Sequence, residues 1–169
     1  MTSDKALHLT FVVGRTKHPQ SVIDDLWNRA LGASESMPVE GTAVYIADGG
    51  SKVTTGDNRL SVVALAKPRS GRMTALLSSA ARKPGPVGIA GRLLMDNLDS
   101  RRVARAVSRR SNLQETFRRS DIIVAADLTA DRSVWQLQKL TEARLVHGPV
   151  AMLHVLRQLV RPDTSAGHR

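Results

Sequence analysis

Four short polar segments carry the residues best suited to chemistry, and each follows an apolar run of strand length: Gly14 to His18, Asp48 to Gly50, Asp127 to Thr129, and His147 to Pro149. In open α/β sheets, loops at the carboxyl ends of strands are where ligands bind. Gly14 permits close backbone approach, and Arg15, Lys17 and His18 can meet an anion at the start of the next helix. An ordinary strand-to-helix turn with exposed bases would look the same. Asp127 can accept hydrogen bonds from a ligand hydroxyl or act as a base, and it serves equally as a helix-start residue facing the helix dipole. His147 and Gly148 can present an imidazole and free amides, or simply form a turn that needs glycine and then Pro149.

Other chemistries lack their residues. The chain has no cysteine, which excludes disulfides, cysteine-ligated zinc, iron–sulfur clusters and thiol catalysis. There is no glycine-rich dinucleotide fingerprint, no P-loop and no nucleophile elbow. The histidines His8, His18, His147, His154 and His168 show no metal-ligand spacing; even His147 and His154, seven apart and potentially on one helix face, bring no carboxylate with them. No Asp-x-Asp is present to hold a metal and a diphosphate. We therefore expect no metal and no cofactor.

The elements that must position these loops are legible from periodicity. Asp121 to Asp127 is an apolar run of the kind found in a strand covered on both faces. Val134, Leu137 and Leu140 then recur at helical spacing beside Trp135, with Thr129 or Asp131 as the cap. Ala143 to Gly148 returns to strand, and Pro149 opens a last helix. Strand, helix and strand in this order imply two parallel strands.

Upstream, Leu7–Val13 is the first strand, and Ser21 with Asp24 opens a helix to about Leu31 whose apolar face is Val22, Ile23, Leu26, Trp27, Ala30 and Leu31. Strands are expected at Thr42–Ala47 and Leu60–Ala66, with a hairpin around Ser51 to Thr55 that would make the sheet mixed. Met73–Ala81 reads as helix, Val87–Ala90 as a short strand or loop, and Ser100–Arg109 as helix, while Asn112 with Glu115 opens another. The expectation is an α/β fold: a Rossmann-like three-layer sheet, mostly parallel, in a single domain over 1–162, followed by a polar, disordered tail at 163–169. Trp135, Leu137, Leu153 and Leu156 are expected to pack between the last two helices and the sheet.

Charge is unevenly placed. The chain carries a formal +10, and segment 67–119 alone holds 13 basic residues against Asp96, Asp99 and Glu115, while the rest balances. Such a segment forms a basic face or arm whose partner is anionic, either a membrane surface or nucleic acid; a solvated face with no partner is the plain alternative. Arg101, Arg102, Arg105, Arg109 and Arg110 are its anion-binding candidates. Phe117 is the segment's one aromatic, so bases have no aromatic platform to stack on. Nothing approaches 18 consecutive apolar residues, so no transmembrane helix is expected. A cytoplasmic location, peripheral to the membrane if the basic face lies on lipid, fits that reading.

Asp121 to Leu128, then Leu137 and Leu140, then Thr141 to Gly148 resembles the fourth-to-fifth strand unit in the amino-terminal domain of GT-B fold glycosyltransferases of the family-four type. About 30 residues carry the likeness. It departs from the family where Arg15 stands in place of a second glycine, and where Ala125-Ala126-Asp127 stands in place of a histidine. The carboxyl-terminal nucleotide-sugar domain, with two glutamates eight apart, has no counterpart. The resemblance implies half of an active site: an acceptor-side domain, inactive alone, that works with a nucleotide-sugar-binding partner on a phosphorylated or membrane-associated acceptor. The alternative is a non-enzymatic basic module that binds nucleic acid through its phosphates.

Overall fold

A computed structural model describes residues 6–14, 16–34, 37–47, 52–66 and 72–160. Five strands, β1 (Leu7–Val13), β2 (Val39–Ala47), β3 (Leu60–Ala66), β4 (Ile122–Ala125) and β5 (Arg144–His147), form one sheet in the order β3-β2-β1-β4-β5. Every neighbouring pair is parallel, with Phe11 opposite both Ala43 and Val124, and Ile122 opposite Arg144. The helices are α1 (Pro19–Ala33), α2 (Arg72–Ala81), α3 (Pro86–Ser108), α4 (Ser111–Arg119), α5 (Leu128–Leu137) and α6 (Gly148–Val160). This is a Rossmann-like three-layer fold.

The alternation of side chains along each strand builds two cores. Leu9, Phe11, Val13, Ile122 and Val124 face α1 and α6, meeting Ile23, Leu26, Trp27, Met152 and Leu156. Val12, Val44, Leu65, Ile123 and Ala125 face the other layer, meeting Val103, Val107, Leu113, Phe117 and Leu137 of α3, α4 and α5. All four residues of β4 are fully buried, which is why its sequence is unbroken apolar rather than alternating.

The hairpin expected between β2 and β3 is replaced by a parallel pair, in register from Gly41↔Leu60 to Ala47↔Ala66. The described part of the connection between them, residues 52–59, holds no helix or strand. Side chains of α1 hold the return in place. Gln20 donates to the Thr54 carbonyl at 2.9 Å and accepts the Thr54 amide at 3.0 Å. Trp27 Nε1 donates to Asp57 at 3.0 Å, and Asp57 also receives the Arg59 guanidinium at 2.8 Å. Arg59, first through its side chain, and then its own backbone amide hold the Asp57 carboxyl well below the usual carboxylate range.

Three other expectations change. Val87–Ala90 is neither strand nor loop but the first turn of α3, opened by Pro86 in the position where a missing N–H costs nothing. Trp135 is 72% exposed, because α5 turns Ala130, Ser133, Val134 and Leu137 inward; Leu153 is only half-buried while Leu156 is fully buried. The cap-like pairs also act differently: Asp24 accepts from Gln20, Glu115 pairs with Arg119, and Asn112 accepts the Leu113 amide. The polar tail at 163–169 lies outside the described residues.

Leu156→Ala should cost about 2–5 kcal/mol, whereas Trp135→Ala should stay within about 0.5 kcal/mol, both read from urea unfolding at constant m value. The Asp57 carboxyl titrates lower in the folded chain than its ordinary 3.8, so its stabilisation is complete above that value and is lost as pH falls below about 4. Asp57→Asn should flatten the stability profile in that acid window, as measured by thermal melts from pH 6 to pH 2.

Candidate functional site

The strand order places the described candidate residues, Gly14, Asp127 and His147, at one edge. β1 and β4 are neighbours, and the chain leaves β1 into α1 on one face of the sheet and β4 into α5 on the other. Their carboxyl ends therefore form the topological switch point of the sheet, the usual ligand position in a doubly wound fold.

Gly14 and Asp127 meet at that point. The Gly14 amide donates to Asp127 Oδ2 at 2.8 Å, and the Ala130 amide donates to Asp127 Oδ1 at 2.9 Å. Asp127, with extended backbone, is thus the N-cap of α5, the helix-start role expected of it, while Thr129 and Asp131 lie inside the helix. The approach is tight: a β-carbon on Gly14 would lie 2.5 Å from Asp127 Oδ1 and 3.0 Å from the Ala130 nitrogen. A side chain at position 14 would force the β1–α1 loop off the α5 terminus.

Lys17 and His18 are exposed at the amino end of α1, where Pro19 is the first helical residue and no acidic side chain stands in the first turn. The exposed amino end of a helix beside two basic side chains favours an anion. Arg15 and Asp48 to Gly50 lie outside the described residues.

His147 ends β5 with its side chain half-exposed and Nδ1 3.7 Å from Asp131 Oδ1 on α5, an ion pair when the ring is protonated. Gly148 follows with φ +72°, a left-handed conformation that suits glycine, and opens α6. His147 and His154 do not share a helix face: one is on β5, and the other is on α6 beside Gln158. With both Asp127 oxygens accepting amides, the imidazoles of His18 and His147 and the Asp131 carboxylate are, among the described residues of this edge, the groups suited to moving a proton. Among the described residues no cluster of three or more His, Asp or Glu gathers to hold a metal, and no helix is long and apolar enough to cross a membrane.

The arginine candidates occupy a different face. Arg101, Arg105 and Arg109 are exposed on or just after α3, and Arg110 donates to the Ala64 carbonyl of β3 at 3.4 Å; the Arg102 side chain lies outside the described residues. Beside them is a feature the sequence reading missed. Leu93, Leu94 and Trp135 are all more than half exposed and line, with Arg101 and Arg132, a cleft of about 490 Å³ between α3 and α5. Pro86 as a helix start was the available signal, because it extends α3 back through Leu93 and Leu94.

Compared with known proteins, the chain matches no protein-family model, no curated protein and no solved structure.

Asp127→Ala removes both acceptors, so the loss should reach or exceed the upper part of the about 0.5–2 kcal/mol typical of a lost N-cap. Gly14→Ala should also destabilise, and the double variant should cost less than the sum of the two, as a thermodynamic cycle from urea unfolding would show.

Proposed function

We propose that this chain is the acceptor-side half of a GT-B-type glycosyltransferase: it binds a phosphorylated acceptor at the carboxyl edge of its sheet and works with a separate nucleotide-sugar-binding domain. The observation that carries the reading is the switch point between β1 and β4, bridged by the Gly14–Asp127 hydrogen bond, with Lys17 and His18 following β1 and with His147 and Gly148 at the end of the neighbouring β5. Strand order and edge chemistry suit a ligand that brings a phosphate to the amino end of α1 and a hydroxyl within reach of an imidazole. Asp127 acts here as a positioning residue: its oxygens hold the loop and the helix start, and the proton-transfer role falls to histidine.

The test is a titration followed by backbone amide NMR, with glucose 6-phosphate as a phosphorylated acceptor probe and UDP-glucose as a donor probe. Glucose 6-phosphate should shift the Gly14, Lys17, His18 and Gly148 amides saturably, and Lys17→Gln should weaken that binding several-fold, as befits one charge-assisted contact. UDP-glucose should not bind selectively at this edge. Preferential binding of UDP-glucose, or no response of these amides to either compound, would contradict the reading.

A further inference from the structure

Helix α3 changes character along its length. Val87, Ile89, Leu93 and Leu94 are exposed in its first half, and Arg101 and Arg105 in its second. Val87, Leu94 and Arg101 recur every seven residues with Arg105 four further on, which at 3.6 residues per turn sets all four along one side of the helix. Across the cleft, α5 contributes Trp135, 72% exposed, together with Arg132. Leu94, Trp135 and these arginines therefore share one outward surface, set apart from the carboxyl edge of the sheet.

Exposed apolar side chains this large, grouped rather than scattered, mark an interaction surface. Its charge limits the occupant, because the surrounding segment carries the chain's entire +10 excess and calls for a negative partner. A duplex would match the arginines but leave the leucines against phosphates and water. A bilayer containing acidic lipids accepts both: leucine and tryptophan side chains sit at the headgroup boundary, and arginine guanidinium groups reach the phosphates while their aliphatic stems lie on apolar surface.

We propose that the α3–α5 face docks on an anionic lipid bilayer, with Leu94 and Trp135 entering the headgroup boundary and Arg101, Arg105 and Arg132 contacting lipid phosphates. This surface does not depend on the transferase reading, and the edge titration with glucose 6-phosphate stands or falls separately.

Tryptophan fluorescence gives a direct readout, because Trp27 is 4% exposed and fixed in the core whereas Trp135 is free to report contact. The full-length chain should cosediment with phosphatidylglycerol–phosphatidylcholine vesicles and its emission should shift to the blue, with neither effect on pure phosphatidylcholine. Trp135→Phe should abolish the shift yet retain most of the binding. Leu94→Ser, at an exposed position that leaves folding intact, should weaken partitioning about tenfold at both low and high salt, since it removes apolar burial. Arg101→Gln with Arg105→Gln should weaken it chiefly at low salt, where unscreened attraction is largest. Failure to bind anionic vesicles at low salt would overturn the proposal. So would binding indifferent to Leu94→Ser, or tighter binding to a DNA duplex than to vesicles at matched salt; the duplex result would assign the face to nucleic acid.

Discussion

One carboxylate joins the two halves of the sheet's carboxyl edge. Asp127 caps α5 through the Ala130 amide and, with its other oxygen, holds the Gly14 amide that leads out of β1. β1 and β4 are hydrogen-bonded neighbours, yet the chain departs from them toward opposite faces, so their ends would otherwise splay. The Asp127 bridge sets how far they part. The positions of Lys17 and His18 at the start of α1, and of Asp131 beside His147, both follow from where these two termini are pinned.

The same bridge explains a division of labour among the polar groups of the edge. Both carboxylate oxygens of Asp127 are committed to backbone amides, of Gly14 and of Ala130. Groups that remain exposed, the imidazoles and the lysine, keep their freedom to meet a ligand. Asp127 thus serves architecture while Lys17, His18 and His147 stay at the surface, in keeping with a chain whose charge excess suits anionic partners.

Much of this was legible in the sequence because it rests on local pattern. The apolar run at β4 announced a strand buried on both faces, and the strand-helix-strand reading through α5 to β5 held, as did the placing of Gly14, Asp127 and His147 at strand ends. What failed depended on distant partners. The residues around Ser51 to Thr55 read alike for a hairpin and for a parallel return, and the choice is made by Gln20 and Trp27, some thirty residues away, gripping Thr54 and Asp57. Trp135 neighbours the inward Val134, but one residue is about 100° of helix, enough to carry it from core to solvent. The Gly14–Asp127 bond joins residues 113 apart, and no periodicity encodes such a contact.

Amide hydrogen exchange at Gly14 tests the bridge most directly. In the wild-type chain that amide should be protected to an extent comparable with its strand neighbour Val12, although it lies beyond the end of β1. In Asp127→Ala, Gly14 and Ala130 should lose protection together while Val124, in the middle of β4, keeps its own. Fast exchange at Gly14 in the wild type, or protection there that survives Asp127→Ala, would show that the edge is held by something other than this carboxylate.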